Sequence, residues 1–232
     1  MTVQAVLFDL DGTLLDHEAA VTAALLRWLP EIGVEATAPA RALWFTLQER
    51  HLSDWRAGRV TFQQQRRHRL RDFLLATGGP VGGDDDRLDA LFSAFLRWYA
   101  QSWAPYPDAV PALDALQRSG LRTAVLTNGS QSQQTDKLAR IGLLDRVGPV
   151  YTGEALGLFK PDPAVFAEVC RRWGLPPGAV VSVGDRHDLD VLPARAAGLR
   201  AVHLDRDRSG PPGEPHRITS LSELPDRLPS AG

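Results

Sequence analysis

The chain has 232 residues, a hydrophobic content of 44% and a net charge of −2, values typical of a globular protein with one large or two modest domains. Such a charge gives no electrostatic case for binding nucleic acid or an anionic membrane. No apolar run is long enough to span a membrane, and no basic leader is seen because Asp9 interrupts the first hydrophobic run. The single cysteine, Cys170, cannot form an internal disulfide and is expected in the core. We therefore expect a cytoplasmic protein.

The first predicted element is a buried strand that ends in two carboxylates. Residues 3–8 are mostly apolar strand formers, and Asp9, Leu10, Asp11 and Gly12 follow them directly. Because side chains alternate along an extended chain, Asp9 and Asp11 would share one side and repel each other unless a cation or a shared proton relieved them. An exposed turn would explain Gly12 but not Asp9, so we interpret the pair as functional.

A helical block follows, with no alternation of strands and helices from residue 16 to residue 103. Helices are predicted over 17–29, from near residue 39, after Thr61 as N-cap, and over 88–99. The first is expected to bury a face made of Val21, Leu25, Leu26 and Leu29. The glycine-rich residues 77–83 predict a flexible loop.

Strands and helices alternate in the rest of the chain. Strands are predicted over 122–127, 150–152, 180–183 and 201–204, separated by helices that end near Gly120, Gly142, Trp173 and Gly198. Residues 205–215 are predicted to form a surface loop. This spacing predicts an α/β protein with a Rossmann-like doubly wound parallel sheet, formed by residues 1–15 and 104–232, and an inserted α-helical domain over 16–103.

Polar residues gather where the predicted strands end, and open α/β sheets carry their chemistry at this edge. Each group has a plain structural explanation. Asn128-Gly129 suits a turn, Lys160 suits a solvated surface, and Asp185 with Asp190 suits a turn and a helix start. Together with Asp9 and Asp11, however, they predict one functional site.

These motifs make the sequence resemble the haloacid dehalogenase superfamily of hydrolases, the aspartate-nucleophile phosphatases, here with a type-1 helical cap. Asp9-Leu10-Asp11-Gly12-Thr13 matches the first family motif and Thr127-Asn128 the second. Lys160-Pro161 matches the third, and Gly184-Asp185 with Asp190 the fourth. The resemblance covers essentially the whole chain and identifies the inserted helical block as a cap domain.

The resemblance implies a role for each acid. Asp9 would be the nucleophile that forms an aspartyl-phosphate, and Asp11 the general acid and then the general base. Mg²⁺ would be held by Asp9, by the backbone carbonyl of Asp11 and by Asp185, since it prefers oxygen ligands. Asp190 would brace the site without touching the metal.

The same resemblance implies how the phosphoryl group is bound. Thr127 and the backbone N–H groups around Asn128 and Gly129 would hold its oxygens. Lys160 would neutralise their charge and align the nucleophile.

The function implied is Mg²⁺-dependent hydrolysis of a small phosphorylated metabolite, with a nucleotide or a sugar phosphate both left open. Asp11 favours a phosphatase over a 2-haloacid dehalogenase, because a halide leaving group needs no proton. A phosphomutase would keep both acids, but no cap signature for holding a bisphosphate is evident. A non-catalytic relative that binds a ligand or a partner is a further alternative, although no acid or lysine of the motifs is missing here.

The sequence gives weaker clues to the substrate. Residues 63–71 are a basic run that reads mainly as a solvated helix face, while Arg66 or Arg69 could reach an anionic substrate. Trp44, Trp55 and Trp103 are expected in cores rather than stacked on a base or sugar. Residues 127–130 with Gln134, Lys137 and Leu138 are similar to house-cleaning nucleotidases and sugar-phosphate phosphatases.

Arg186 departs from the family pattern, since relatives often carry a small hydroxyl residue at that position. We expect its side chain to point to solvent. The alternative is a second anion contact at the edge of the pocket.

Overall fold

A computed structural model of the chain describes residues 2–80 and 84–228. It contains one six-stranded sheet in which every pair of neighbours is parallel, in the order β3-β2-β1-β4-β5-β6. The strands are β1 (Ala5–Phe8), β2 (Arg122–Thr127), β3 (Val150–Thr152), β4 (Val180–Gly184), β5 (Arg200–Leu204) and β6 (Arg217–Ile218). The predicted Rossmann-like doubly wound α/β sheet is confirmed, and β6 is an addition too short to leave a sequence pattern.

The described helices follow the predicted alternation. Before β2 the chain forms α1 (His17–Glu31), α2 (Ala38–Arg56), α3 (Phe62–Thr77), α4 (Asp85–Gln101) and α5 (Ala109–Arg118). After β2 it forms α6 (Gln131–Arg140), α7 (Gly153–Leu156), α8 (Pro163–Trp173), α9 (Leu192–Ala196) and α10 (Leu224–Arg227). Short 3₁₀ turns lie at Pro177–Ala179 and Leu221–Glu223, and a π-helical turn spans His187–Val191. Of the predicted flexible loop, residues 81–83 lie outside the described residues.

Contacts divide the chain into two compact units, Met1–His17 with Trp103–Gly232, and Glu18–Ser102. The first contains the sheet and is called the sheet unit below. The second contains most of α1 and all of α2 to α4, and is called the helical unit.

The sheet unit buries its central strand on both faces. Val6 and Phe8 of β1 pack into one apolar cluster, and Ala5 and Leu7 pack into another on the opposite face. This alternation follows from the two-residue period of a strand and explains why the sequence of β1 is apolar throughout. Cys170 lies in the second cluster and is buried, as predicted.

The helical unit is built around Trp44, which is fully buried. Its ring lies 5.7 Å from that of Trp28, 5.1 Å from Phe73 and 4.7 Å from Phe95, measured between ring centroids. Trp44 therefore packs in a core, as expected. The predicted face of α1 is wrong for Leu26, which is 50% exposed, because the buried stripe runs through Val21, Leu25 and Trp28 instead.

The basic run over residues 63–71 is solvated in part, as expected for most of its length. Gln63 and Gln64 are exposed and four further residues are half-buried, whereas Gln65 and Arg69 are buried. Arg67 forms ion pairs with Asp85 and Asp89 at the start of α4. The packing of α3 between α2 and α4 thus buries polar positions that the sequence pattern places on the surface.

Residues 205–215 form no helix or strand, but two of their side chains are not at the surface. Asp205 and Glu214 are each 3% exposed. Glu214 accepts hydrogen bonds from Arg195 at 2.6 and 2.9 Å, and Asp205 lies 3.1 Å from Arg217. Ion pairing draws both carboxylates inward and corrects the prediction of a simple surface loop. Within the described ranges, no helix has the length and apolar character needed to cross a bilayer.

Candidate active site

The carboxyl ends of β1, β2 and β4 lie side by side because these strands are neighbours in the sheet. Asp9 directly follows β1, Thr127 is the last residue of β2, and Asp185 directly follows β4. The strand order reverses between β1 and β4, and doubly wound sheets open a crevice at such a reversal. The topology therefore brings three of the predicted groups to one edge.

Lys160 joins two of the predicted acids. Its Nζ donates to Asp9 Oδ1 at 2.6 Å and to Asp190 Oδ1 at 2.6 Å. All three side chains are nearly inaccessible, with exposed fractions of 4% for Lys160, 10% for Asp9 and 3% for Asp190. Burial alone would lower the pKa of Lys160, but the two carboxylates outweigh it and raise that pKa. Lys160 is therefore a permanent cation beside Asp9.

Asn128 positions the loop that carries Lys160. Its Nδ2 donates to the Lys160 carbonyl at 2.6 Å, and its Oδ1 accepts from the Lys160 backbone N–H at 2.8 Å. This reciprocal pair ties the end of β2 to the loop before α8. A change at Asn128 would move the lysine as well as the backbone around Gly129.

Asp190 is held from both of its carboxylate oxygens. While Oδ1 accepts from Lys160, Oδ2 accepts from the Arg186 backbone N–H at 3.0 Å. The π-helical turn His187–Val191 carries Asp190 back toward β4, and a Cβ on Gly184 would lie 2.3 Å from Asp190 Cγ. Both oxygens thus have protein partners, an arrangement that suits a supporting role.

Asp185 is positioned by the loop that follows β1. Its backbone N–H donates to Thr13 Oγ1 at 3.1 Å, and its carbonyl oxygen lies 3.0 Å from His203 Nε2. Gly12 has φ +95°, and a Cβ there would lie 2.4 Å from Asp185 Oδ2. Only glycine allows this close approach without strain.

Asp11 has cationic and amide partners on α6. Lys137 Nζ donates to both carboxylate oxygens at 2.7 Å, and Gln134 Nε2 lies 3.2 Å from Oδ2. Gln134 Nε2 also donates to Thr127 Oγ1 at 2.6 Å, so one amide links Asp11 to the end of β2. Burial alone would raise the pKa of Asp11, but Lys137 and then His17 outweigh it and lower that pKa to about 2.

The three acids Asp9, Asp185 and Asp190 carry more negative charge when ionised than the single cation Lys160 compensates. Burial, and then the charge of Asp190 and Asp11, raise the pKa of Asp9 to about 7 despite Lys160. Burial and the charges of Asp9 and Asp190 raise the pKa of Asp185 well above its usual range. Oxygens of Asp9, Asp185 and Asp190 all lie within 4.8 Å of one another. A cluster of hard oxygen donors with uncompensated charge fits a divalent cation such as Mg²⁺.

A family model described as a hydrolase, haloacid dehalogenase-like hydrolase, matches residues 3–198. The chain belongs to this family. This haloacid dehalogenase-like hydrolase is 32% identical over 215 residues to the glyceraldehyde 3-phosphate phosphatase of Methanopyrus kandleri, a match that covers 89% of the chain and 85% of that protein. The relative supports an enzyme of the phosphatase type, as predicted.

Relatives of other activity also match the hydrolase. It is 31% identical over 235 residues to (S)-2-haloacid dehalogenase 1 of Pseudomonas sp. (strain CBS-3), covering 97% of the chain and 96% of that protein. Its fold matches the HAD-hydrolase YfnB from Bacillus subtilis, a structure bound to magnesium, with a TM-score of 0.85, 22% identity and coverage of 98% and 99%. At that identity the structural match concerns the fold alone.

Arg186 of this haloacid dehalogenase-like hydrolase points its guanidinium to a neighbouring carboxylate. Nε and Nη2 each donate to Asp188 at 3.1 Å, and the side chain is 38% exposed. The expectation that the Arg186 side chain faces solvent is therefore partly correct, since this side chain also forms an ion pair with Asp188.

Sequence reasoning missed several residues that support the site. Thr13 lies in the first matched motif, and its hydroxyl group could have indicated a hydrogen-bonding role in the site. Lys137 and Gln134 were noted only as a resemblance, although both lie on one face of α6 directly after β2. His203 ends up beside Asp185 because β5 pairs with β4, and no local pattern reveals that contact.

Proposed function

We propose that this hydrolase is a Mg²⁺-dependent phosphomonoesterase that acts on a small phosphorylated metabolite through an aspartyl-phosphate on Asp9. The observation that carries the proposal is the placement of Asp9. It lies at the end of the central strand with Lys160 at 2.6 Å and a second acid, Asp11, two residues further on. A carboxylate next to a fixed cation suits nucleophilic attack on a phosphoryl group.

Asp9, Asp185 and the backbone carbonyl of Asp11 are the groups proposed to hold Mg²⁺. Asp190 is left out because Lys160 and the Arg186 backbone already occupy its two oxygens. The ion would reduce the repulsion between the nucleophile and the phosphate when bound. The raised pKa values of Asp9 and Asp185 support this assignment, since both show carboxylates that lack sufficient compensating charge.

The proposed reaction has two steps. A carboxylate oxygen of Asp9 forms a bond to phosphorus, and the bond from phosphorus to the leaving oxygen breaks as that oxygen takes a proton from Asp11. Asp11 then removes a proton from water, whose oxygen attacks phosphorus and releases phosphate and free Asp9.

The described contacts of Asp11 keep its carboxylate ionised, because Lys137 lowers its pKa to about 2. An ionised carboxylate can take a proton from water, but one with so low a pKa is a weak base and a rarely protonated acid. Both steps therefore require the contact between Asp11 and Lys137 to weaken when substrate binds.

Thr127, Lys160 and the backbone N–H groups of Asn128 and Gly129 are proposed to bind the transferring oxygens. The reciprocal hydrogen bonds between Asn128 and Lys160 support this, because they hold the donor groups of two loops in a fixed relation.

A 2-haloacid dehalogenase is the second candidate, and the similarity to the Pseudomonas enzyme favours it. It would use Asp9 to displace a halide from carbon and would have no need of Asp11 as an acid. The buried network of Lys137 and Gln134 around Asp11 argues for the phosphatase instead, because it is built to control that carboxylate.

The deciding experiment measures phosphate release from para-nitrophenyl phosphate with and without Mg²⁺. We expect Mg²⁺-dependent turnover that falls by a factor of about 10³ or more in Asp9→Asn. Asp188 is an exposed acid close in sequence to Asp185. Asp188→Asn is therefore the matched control and should keep wild-type turnover. Acid-quenched enzyme should carry one covalent phosphate, absent from Asp9→Asn.

Two results would contradict the proposal. Chloride release from (S)-2-chloropropionate without metal, in the absence of phosphate release, would establish the dehalogenase. Equal inertness of the wild type and Asp9→Asn toward both substrates would favour a non-catalytic relative.

A further inference from the structure

Arg69 is a buried cation inside the helical unit. Its side chain points from α3 toward α2 and α4, with 6% of the residue exposed. The guanidinium lies 4.9 Å from the ring centroids of both Trp44 and Phe92, and Nη1 donates to Gln48 Oε1 at 2.8 Å. Stacked rings and one amide thus fix the group in place.

Arg69 differs from Arg67 and Arg71 on α3 in having no carboxylate partner. Within residues 2–80 and 84–228, no carboxylate lies within 4.0 Å of its guanidinium, whereas Arg67 and Arg71 both pair with Asp85. Its Nε is buried without a hydrogen-bond partner, and so is Oε1 of Gln65, one turn earlier on the helix. Two polar atoms on one side of α3 therefore stay unsatisfied.

A second cation lies beside it. The Arg66 guanidinium is 5.4 Å from the Phe92 ring that Arg69 also contacts, and 4.4 Å from the Phe62 ring. Burial and then the charge of Arg66 lower the pKa of Arg69 to about 9. Burial likewise lowers the pKa of Arg66, although the charge of Asp89 opposes it. The charges of the two arginines thus oppose each other.

This arrangement costs stability unless something compensates it. Contacts with aromatic rings recover only part of the free energy lost when a guanidinium leaves water. An apolar side chain would fill the same space without that cost. Neighbouring guanidinium groups are, however, a usual means of binding carboxylate or phosphate oxygens, and Nε of Arg69 has no partner.

We propose that Arg69, assisted by Arg66, forms a subsite in the helical unit for an anionic oxygen group, a carboxylate or a phosphate. The occupant is a small free anion, so the inference stands independently of the proposed phosphatase function.

The test compares Arg69→Met with a matched control. Arg71→Met is that control, since it removes an arginine from the same helix that already has a carboxylate partner.

The experiment is thermal unfolding in malonate, a dicarboxylate without phosphorus. A rise in Tm with malonate in the wild type and Arg71→Met, but not in Arg69→Met, is the result expected of the subsite.

The subsite is ruled out if the wild type shows no rise in Tm with malonate, or if Arg69→Met keeps that rise. A purely structural arginine would instead show a lowered Tm of Arg69→Met without malonate and an unchanged rise on adding it.

Discussion

Gly12 follows Asp11, and because it has no side chain it leaves room for the carboxylate of Asp185. A Cβ at this position would lie 2.4 Å from Asp185 Oδ2, and φ is +95°. We expect Gly12→Ala to destabilise the fold by about 1–3 kcal/mol and to displace Asp185, with loss of Mg²⁺-dependent turnover. Denaturant unfolding and turnover measure the two effects.

Gly58→Ala is the control for Gly12→Ala. Gly58 also has a positive φ, +69°, but a Cβ there would meet nothing within 4 Å. It should therefore cost about 1 kcal/mol and leave turnover intact. Equal effects of the two substitutions on turnover would show that backbone strain, and not the carboxylate, is responsible.

Lys137 is expected to determine the charge state of Asp11. Burial raises the pKa of Asp11 and Lys137 lowers it, with a net value of about 2. Removing the cation in Lys137→Met leaves the effect of burial, so the pKa should rise to or above the ordinary 3.8. Carboxyl ¹³C NMR titration in an Asp9→Asn background measures this midpoint.

Arg140→Met serves as the comparison on the same helix, because Arg140 pairs with the exposed Asp136 and does not touch Asp11. Its Asp11 midpoint should stay near that of the parent. A midpoint that stays low in Lys137→Met would mean that His17 or Gln134 dominates instead.

At the scale of elements, Glu214 ties the loop before β6 to α9. Hydrogen bonds from Arg195 lower its pKa to about 2, although burial opposes them. Because the folded pKa lies below the ordinary 4.5, the stabilisation is present above pH 4.5 and is lost as the pH falls toward 2. We expect Glu214→Gln to cost about 2 kcal/mol at pH 7 and much less near pH 2, by denaturant unfolding.

Glu154→Gln offers a control for that pH dependence, since Glu154 is exposed and its carboxylate accepts a hydrogen bond from the Gln131 backbone N–H without an arginine partner among the described residues. Its effect should be small at both pH values. A constant difference between Glu214→Gln and the wild type over the whole range would contradict the assigned pKa.

Local patterns predicted the elements well where the signal lies within one element. Thr61 caps α3 through a capping box with Gln64, and the apolar residues of β1 mark a strand buried on both faces. The burial of Arg69 was missed because it depends on aromatic rings from α2 and α4, and β6 because two residues carry no period.

The same distinction between local sequence patterns and contacts between distant elements applies to the candidate site. Asp9, Lys160 and Asp190 were predicted together and lie together, since strand ends of a parallel sheet converge. Their partners were not predictable, because Lys137 reaches Asp11 across 126 residues of sequence and His203 reaches Asp185 only through strand pairing. The chemical roles of all these residues stay predictions.

At the scale of the whole molecule, the acids of the site couple folding to pH and metal. Asp9 has a pKa of about 7 and Asp185 one well above 3.8, so both bind protons more tightly when folded. Their contribution to stability is present below pH 3.8 and is lost as the pH rises through about 7. The proposed Mg²⁺ would bind the ionised form of these acids, so we expect it to raise Tm by several degrees at pH 8 and little at pH 5.

Asp185→Asn should remove the Mg²⁺-dependent rise in Tm at pH 8. The matched variant Asp188→Asn, at a side chain that is 62% exposed, should retain it. An equal rise at both pH values, or one that survives Asp185→Asn, would place the cation elsewhere.

The chain leaves and re-enters the sheet unit at adjacent points. Leu15 forms an antiparallel bridge with Pro105, the Asp16 N–H donates to the Ala104 carbonyl at 3.0 Å, and the Tyr106 N–H donates to the Leu14 carbonyl at 2.9 Å. The entropy cost of closing a loop rises only slowly with its length, so inserts of different length between these two points should differ little in that cost. The short hydrogen bonds between residues 14–16 and 104–106 would then hold the end of β1, with Asp9, in the same place whatever the size of the insert.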